Sequence, residues 1–584
     1  MELNSISPRQ VYTTIEKDTQ VTILPETFYI FGSGFNSNLK ICKIKTAQGN
    51  FEVEGIYVRE NLVACVLDFP ITFSDRANGP EQLEIQLENA PASLSVKVLP
   101  AVDGTHRSMT SDDYAMYMFG PRSNIINGVL SFKGAFPKAE AQNILYNIIT
   151  DEKLKNFRSR PVIAPGEQAF WYDLGEKYQE SHLEQFRELS FDPKLDGKSQ
   201  LTSTLSKLIR IPLSLSRPMW EMWLIDSYKE GDETKSIIVF RSHHLNADGI
   251  GLVMALFKSA GIDIDQVDFP GKNLRKQKKK KADPFIIQAL KHPIGMSLHI
   301  LSYALLAFHE LYRALANPVE PTWSPLKLKG HIEDVDISWL DTPFKLKEFK
   351  KTAKDVGISF NDLVLSLISG SLRKIMINHH GTKISKDYLD KALGQIHASI
   401  SVSIRSPKDL TSEGDIVGNK AAMATLPMFV QNDDTVNRSR LISDYSQRYY
   451  YGAGLVVMNL VNSILTNAPR FMLEAGNPLQ GGESDLIQKM VKTTSAVLSS
   501  VPGPVSEISF GKSEKYPVES LRFFVDPDFG ISVPLLITAF SYNDELSIAT
   551  TVAKEIGVDA KTVLRYMKET YVELQNSTFE KKND

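Results

Sequence analysis

The feature that most constrains this chain is a short apolar run that ends in two adjacent histidines. Residues 237–244 read Ile-Ile-Val-Phe-Arg-Ser-His-His. The β-branched and aromatic residues predict a buried strand. Asp248-Gly249 marks a turn, and the apolar residues 250–260 predict a helix directly after it. The stretch therefore indicates an α/β fold in which a polar turn joins a buried strand to a helix.

His243 and His244 are the candidate reactive side chains of this turn. Neighbouring strand residues point to opposite faces, so only one imidazole can face a substrate while the other packs behind it. Asp248 can hold the local backbone or pair with an arginine. The alternative is a core histidine pair beside a polar turn. The second pair, His379-His380, is followed directly by glycine and has no Asp-Gly at that spacing, which indicates a helix end.

Length and composition exclude several other classes of protein. A chain of 584 residues is too long for one core and predicts three to four domain-sized units. A net charge of -3 gives no basic excess for nucleic acid. Cys42 and Cys65 provide neither a disulfide framework nor a metal cluster and fit a reducing compartment, although they also allow one cross-strand bridge. Residues 1–10 lack the apolar core of a secretory signal, and no apolar run reaches the roughly 18 residues of a membrane span.

The chain divides by pattern into four parts. Residues 1–103 contain short strand-like runs separated by Gly, Asn and Pro, at the spacing of a β-sandwich. Residues 104–270 and 326–584 alternate helices and strands. Residues 271–325 form a bridge with a cationic run at 275–281 and an amphipathic helix at 294–315. The bridge suits an interfacial segment on anionic lipid, or equally a solvated linker with a core-packed crossover helix.

Residues 6–8, 21–23 and 32–35, taken in order, resemble the sequence of an immunoglobulin-like IPT/TIG domain. We see no catalytic cluster in this part. It is expected to be a binding or positioning module, or a passive stabilising appendage. A chain beginning near Gly104 is therefore expected to keep turnover on soluble substrate analogues, provided that it stays folded.

A second motif precedes the histidines by a little over 20 residues. Residues 211–221 read Ile-Pro-Leu-Ser-Leu-Ser-Arg-Pro-Met-Trp-Glu, a rigid two-proline loop that leads into a strand, or alternatively a buried tryptophan corner. The loop resembles the PLDxSRPLWE motif of the wax ester synthase/diacylglycerol acyltransferase family, with Ser214 for Asp and Met219 for Leu. The histidines resemble the HHxxxDG signature that this family shares with chloramphenicol acetyltransferase and with peptide-synthetase condensation domains.

Further landmarks follow in the family's order. Asn361-Asp362 resembles its NDxVL motif, although plain helix capping by Ser359 explains the same residues. Arg405 ends a strand like the family's PVSxR segment. Gly418-Asn419 matches a GN landmark, and 499–504 resembles an NVPGP turn with serine in place of asparagine. The resemblance covers about residues 110 to 575.

The resemblance implies an α/β fold of two chloramphenicol-acetyltransferase-like lobes, preceded by an all-β immunoglobulin-like sandwich. It implies an O-acyltransferase that moves a long-chain acyl group from acyl-CoA to a fatty alcohol or to diacylglycerol. Acyl-CoA is expected as co-substrate, with no bound cofactor and no metal. The expected location is cytoplasmic and peripheral on a membrane or lipid droplet, through residues 272–315, and no nucleic-acid partner is expected.

The same resemblance assigns roles to residues. His244 accepts the alcohol proton and returns it to the CoA sulfur without an acyl-enzyme, with Asp248 and His243 as the other catalytic residues. Asp248 holds the loop with Arg405 as its expected partner. The candidate oxyanion donors are Asn361, Ser403 and Ser495. The expected structural or positioning residues are Pro212, Arg217, Trp220, Gly249, Asp362 and Asn419.

Two alternative functions remain open. A condensation-type or polyketide-associated acyltransferase would use carrier-bound donors, but the loop at 212–221 argues against it. A catalytically silent lipid-binding protein would keep the fold, but the intact His244, Asp248 and Gly249 argue against that.

Overall fold

A computed structural model describes most of the chain as two compact units. The described residues are 1–16, 20–46, 49–73, 82–88, 90–99, 105–118, 124–162, 169–175, 182–270, 326, 328, 332–378, 396–451, 494–511, 514–527 and 533–583. Unit 1 comprises residues 1–264, 415–419 and 508–529, and unit 2 comprises 265–414, 420–507 and 530–584. The cationic run, the predicted bridge helix and the His379-His380 pair lie outside the described residues. The finer four-part division stays a prediction.

The elements are numbered in chain order. The strands are β1 (Glu2–Ser7), β2 (Gln10–Glu16), β3 (Gln20–Ile23), β4 (Glu26–Ser33), β5 (Ile41–Thr46), β6 (Gly49–Arg59), β7 (Leu62–Leu67), β8 (Ile71–Phe73), β9 (Gln82–Leu87), β10 (Ser93–Leu99), β11 (Thr105–Ser108), β12 (Ile125–Phe132), β13 (Ser159–Val162), β14 (Phe170–Asp173), β15 (Phe186–Leu189), β16 (Trp220–Glu230), β17 (Glu233–His243), β18 (Val335–Trp339), β19 (Phe344–Lys345), β20 (His397–Ser403), β21 (Ala421–Pro427), β22 (Thr494–Pro502), β23 (Ser509–Phe510), β24 (Tyr516–Val525), β25 (Leu535–Tyr542) and β26 (Glu545–Ala553). The α-helices are α1 (Ser111–Met118), α2 (Lys138–Thr150), α3 (Gly197–Leu208), α4 (Gly249–Ser259), α5 (Leu346–Val356), α6 (Phe360–Asn378), α7 (Thr435–Tyr451) and α8 (Ala560–Asn583).

The N-terminal part of unit 1 is rich in strands, as predicted. Its ten strands follow one hydrogen-bonded path, β1-β4-β7-β6-β5-β9-β10-β2-β3-β8, and the expected immunoglobulin-like sandwich is not confirmed. A disulfide joins Cys42 to Cys65. Disulfides are rare in reducing compartments, so the cysteines no longer support the expectation of such a compartment.

Strand β4 is buried on both of its faces. Phe28 and Ile30 enter the apolar core of the ten-stranded sheet. Tyr29, between them, points to the opposite face because side chains alternate along a strand. Its ring meets Trp223 of β16 edge-on, with the ring centroids 4.9 Å apart. The N-terminal sheet therefore packs directly on the strands that follow it in unit 1.

A six-stranded sheet, β15-β16-β17-β12-β24-β23, carries the histidine stretch. β17 lies between β16 and β12 and pairs antiparallel with both. Its residues from 235 to 243 are all buried, which confirms the predicted buried strand. The helix predicted at 250–260 is α4, from Gly249 to Ser259.

Unit 2 is built on a seven-stranded mixed sheet. The sheet runs β18-β26-β25-β22-β20-β21, with β19 also paired to β26, and β22 is parallel to both β20 and β25. Helix α6 begins with a reciprocal cap, because Ser359 Oγ accepts from the Asp362 N–H and Asp362 Oδ2 accepts from the Ser359 N–H. The predicted cap by Ser359 is confirmed. Within the described ranges, no helix is long and apolar enough to cross a membrane.

Gly370 allows helices α6 and α8 to approach each other closely. A Cβ added at Gly370 would lie 2.3 Å from Thr570 Oγ1 and 2.4 Å from Thr570 Cγ2. We expect Gly370→Ala to destabilise the protein by about 1–3 kcal/mol through overpacking, although alanine favours an isolated helix. Urea denaturation measures the change, and Thr570→Ala in the same chain should recover part of it. An unchanged or raised midpoint for Gly370→Ala alone would contradict this packing.

Candidate active site

Strand β17 ends at His243, and His244 is the first residue of the turn that follows. The two histidines therefore differ in environment by more than strand alternation alone predicts. The His244 N–H donates to Asn124 O at 2.8 Å, and the Asn246 N–H donates to the His243 carbonyl at 3.0 Å. The strand therefore ends between the two residues, with His243 in the sheet and His244 in the turn.

His243 is fully buried and its ring shapes the turn. Its Nδ1 accepts a hydrogen bond from the Leu245 N–H at 3.0 Å. Its own N–H donates to Met219 O at 2.9 Å. An Nδ1 that accepts leaves the ring proton on Nε2. His243 therefore has a structural task, and the catalytic role expected for it stays a prediction.

His244 is partly buried and is oriented by Asn419. His244 Nδ1 lies 2.6 Å from Asn419 Oδ1. Asn419 Nδ2 donates to the His244 carbonyl at 2.9 Å and to Asp113 Oδ1 at 3.4 Å. These two acceptors fix the orientation of the asparagine amide, so its Oδ1 must accept a hydrogen bond from the His244 Nδ1–H. By this network the His244 Nε2 carries a lone pair, as a general base requires.

The electrostatic setting of His244 keeps the imidazole neutral. Burial lowers its pKa below 6.5, and the negative charge of Asp248 and the hydrogen bond to Asn419 oppose this only in part. A neutral histidine near pH 7 can accept a proton without first losing one. Once the proton arrives, the Asp248 carboxylate favours the imidazolium.

Asp248 also holds the local backbone, which is one of the two roles predicted for it. It caps helix α4, accepting the Gly251 N–H at 2.8 Å with Oδ1. Its N–H donates to Gly418 O at 3.3 Å, and the Gly418 N–H donates to Asn246 O at 3.1 Å. Gly418 has φ +83°, a left-handed conformation that favours glycine. This backbone pairing places Asn419 beside His244, and Gly249 is the first residue of the helix.

The proline-rich loop at 212–221 lies against the same turn. Trp220 Nε1 donates to Phe157 O at 2.7 Å. Arg217 is buried and pairs with Glu26. Pro212 O accepts from Thr27 Oγ1 at 2.8 Å. The tryptophan is buried as the alternative interpretation expected, and the loop is also bonded to strand β4.

The remaining predicted residues belong to unit 2. Asp362 is buried and accepts from Ser443 Oγ at 2.8 Å and from Ser446 Oγ at 2.5 Å, so it ties α6 to α7. Asn361 is exposed, and its Oδ1 accepts from Ser500 Oγ at 3.3 Å.

The two candidate serines and Arg405 lie at strand ends of unit 2. Ser403 ends β20, and its Oγ accepts from the Arg405 N–H at 3.3 Å. Ser495 is fully buried near the start of β22. The oxyanion donors and the Asp248–Arg405 pair stay predictions.

Three residues of this site were missed or undervalued in the sequence. In the sequence, Asp113 is one of the residues Ser111-Asp112-Asp113, a group typical of a helix N-cap, yet in the structure its carboxylate accepts from the Asn419 amide and fixes it. Glu26 and Tyr29 come from the N-terminal part, in which the sequence shows no catalytic cluster. The substitution at Ser214 in the loop motif was the one available signal for Glu26.

Within the described residues, no group of three or more His, Cys, Asp or Glu side chains could hold a metal ion.

Comparison with known proteins identifies the family. The profile of the wax ester synthase/diacylglycerol acyltransferase catalytic domain matches residues 193–364, and that of the WS/DGAT C-terminal domain matches residues 417–575. This chain belongs to the wax ester synthase/diacylglycerol acyltransferase family. The family resemblance drawn from the motifs is thereby confirmed, and the protein is an acyltransferase.

Individual relatives of this WS/DGAT protein are distant. Wax ester synthase/diacylglycerol acyltransferase 7 of Arabidopsis thaliana is 22% identical over 411 residues, which cover 66% of this chain and 81% of the relative. The trichothecene 15-O-acetyltransferase TRI3 of Fusarium sporotrichioides covers 80% of this chain and 95% of its own, with 14% identity and a TM-score of 0.51, which shows a shared fold. The solved WS/DGAT of Marinobacter aquaeolei VT8 covers 80% of this chain and 98% of its own, with 17% identity and a TM-score of 0.49.

The Asn419 amide gives a test of the His244 tautomer. We expect Asn419→Leu to lower kcat/KM by roughly tenfold or more, because the imidazole loses the acceptor that fixes its proton on Nδ1. In the native protein the hydrogen bond to Asn419 raises the pKa of His244. Its loss in the variant should therefore lower that pKa. The acidic limb of the kcat/KM profile should therefore move to lower pH in the variant. A limb that stays in place or moves to higher pH would contradict this network.

Proposed function

We propose that this WS/DGAT protein transfers a long-chain acyl group from acyl-CoA to a fatty alcohol or to diacylglycerol, with His244 as the general base. The observation that carries the mechanism is the bond from His244 Nδ1 to Asn419 Oδ1, at 2.6 Å. It leaves Nε2 as the basic atom of an imidazole whose pKa is lowered by burial. The name of the Arabidopsis relative supports the two product classes.

The proposed reaction follows from this protonation state. The alcohol O–H gives its proton to His244 Nε2 as its oxygen attacks the thioester carbonyl carbon. The tetrahedral intermediate then breaks its C–S bond, and Nε2 returns the proton to the departing CoA sulfur. No acyl-enzyme forms, and no bound cofactor takes part. A hydroxyl is a weak nucleophile at neutral pH, so a positioned base is the main requirement.

Several residues of unit 2 remain candidates in this proposal. Asn361, Ser403 and Ser495 are the candidate donors to the oxyanion, which needs preorganised hydrogen bonds. Arg405 is the candidate partner of Asp248. A carrier-protein donor instead of acyl-CoA would separate this enzyme from its family, so acyl-CoA and an acylated carrier protein should be compared as donors. Turnover with neither would favour a silent lipid-binding protein.

We further propose the domain roles that the sequence predicted. Residues 1–103 would form an immunoglobulin-like unit, and residues 104–270 and 326–584 the two chloramphenicol-acetyltransferase-like lobes. The bridge at 271–325 would make peripheral contact with a membrane or lipid droplet. Water-insoluble acyl acceptors support such a contact, since they partition into lipid.

The histidine pair provides the decisive test of the mechanism. His244→Ala should lower kcat by roughly 10²–10⁴-fold, the usual contribution of a general base, with little change in melting temperature. His243→Ala should lower the melting temperature, because its buried ring accepts a bond inside the turn, and should cost less activity per folded molecule. Turnover with long-chain acyl-CoA and each acceptor, with products resolved by mass spectrometry, measures both.

The exposed His106 provides a matched control for these variants. His106→Ala should leave turnover and melting temperature unchanged. Near-native turnover in His244→Ala, with loss in His243→Ala, would mean that the base is the other histidine. Near-native turnover in both would make the pair structural and end the general-base proposal.

The basic run gives a test of membrane contact. Replacing Lys278, Lys279, Lys280 and Lys281 with glutamine should weaken liposome binding, most strongly on anionic vesicles at low salt. A matched control replaces four exposed lysines of helix α5, namely Lys347, Lys350, Lys351 and Lys354. Binding that falls equally in both variants, or in neither, would reduce the run to a linker.

A further inference from the structure

Glu26 is a buried carboxylate from the N-terminal sheet that holds the family's signature loop. It is 0% exposed. Its Oε1 accepts from Arg217 Nη2 at 3.0 Å. Its Oε2 accepts from Ser214 Oγ at 2.8 Å and from Ser216 Oγ at 2.7 Å. One carboxylate from strand β4 therefore bonds three side chains of the loop.

The loop departs from its family's motif at one of the three residues that bond this carboxylate. Ser214 stands where the motif has aspartate. Its hydroxyl lies 2.8 Å from Glu26 Oε2, so the Glu26 carboxylate occupies the space that a longer acidic side chain at 214 would reach. A buried arginine needs a charged partner, because an unpaired buried charge is strongly disfavoured. For Arg217 that partner is Glu26, 191 positions away in the chain.

The loop that Glu26 holds is itself hydrogen-bonded to the histidine turn. Met219, two residues after Arg217, offers its carbonyl to the His243 N–H at 2.9 Å and to Asn246 Nδ2 at 3.0 Å. These two bonds bracket His244. Loop position therefore sets the position of the turn that carries the base.

We propose that Glu26 is a positioning residue for acyl transfer, which supplies from the N-terminal sheet the carboxylate that the family carries inside the loop at the position of Ser214. The proposal rests on the acyltransferase function proposed above. It makes the N-terminal sheet a working part of the catalytic unit. The sequence led us to expect that a folded chain beginning near Gly104 keeps turnover on soluble substrate analogues, whereas this proposal predicts that such a chain loses turnover.

A second contact of strand β4 supports the same conclusion. Tyr29 donates to Glu221 Oε1 at 2.9 Å and accepts from Arg241 Nη1 at 2.8 Å. Arg241 lies in β17, two residues before His243. The strand thus bonds both the loop and the histidine strand through buried polar side chains.

The test is a double-mutant cycle that moves the carboxylate from position 26 to position 214. It compares Glu26→Gln, Ser214→Asp and the double variant with the unmodified protein. Glu26→Gln should lower kcat by roughly tenfold to hundredfold, since small misplacements remote from the chemistry reach that size. Ser214→Asp alone should be harmful, because it sets a second carboxylate against Glu26. In the Glu26→Gln background the same aspartate should restore kcat. Ser214→Asp is therefore expected to lower kcat in the unmodified protein and to raise kcat in the Glu26→Gln variant, a reversal of sign. The matched control is Glu54→Gln, which changes an exposed carboxylate of the same sheet.

Each measurement is made well below the melting temperature, with the folded fraction determined by circular dichroism. Full kcat in folded Glu26→Gln would overturn the proposal, as would a folded double variant that gains no kcat over Glu26→Gln. Should Glu26→Gln fail to fold, a folded and active double variant supports the proposal, and one that also fails to fold or is inactive overturns it. The unmodified protein is assayed alongside. Its lack of acyl transfer would refute the proposed function, whereas an active parent with no reversal of sign refutes only the role of Glu26.

Discussion

The buried pairing of Arg241 with Glu221 is the interaction on which unit 1 depends. Both side chains are buried, and they form a direct ion pair. Burial opposes ionisation of Glu221, but the charges of Arg241 and Arg187 outweigh it and hold the pKa of that carboxyl below its usual range. Arg241 Nη2 also donates to Leu208 O and Ile211 O, each at 2.6 Å. One guanidinium thus joins the histidine strand to the start of the signature loop.

A buried ion pair of this kind favours one arrangement more than it adds stability. Removing one partner leaves an uncompensated charge in a medium of low dielectric constant, at a cost of about 3–5 kcal/mol. Alternative registers of β16 and β17 would separate Glu221 from Arg241 and incur that cost. The signature loop and the histidine turn are therefore held in register by charges rather than by apolar packing alone. The same reasoning applies to Glu26 and Arg217 at the other end of the loop.

The chemistry of the proposed base was only partly visible in the sequence. The motif singled out His244, and the GN landmark singled out Asn419, but no local pattern shows that the two side chains meet. Their contact spans 175 positions of the chain. It fixes the tautomer, which no sequence pattern can report. Asp362, which was expected to be a structural or positioning residue, accepts hydrogen bonds from Ser443 and Ser446 and so joins two helices, another pair of contacts that the motif alone does not show.

The sequence by itself determined the local elements of this protein. The buried strand before His243, the turn at Asp248, the helix after it and the family all follow from residues that are close in the chain, because periodicity and turn chemistry are local. Tertiary structure alone decided which distant groups meet, such as Glu26 with Arg217. Those contacts depend on sheet order and register. The favoured register is one in which each buried charge has a charged partner, because an unpaired buried charge is strongly disfavoured.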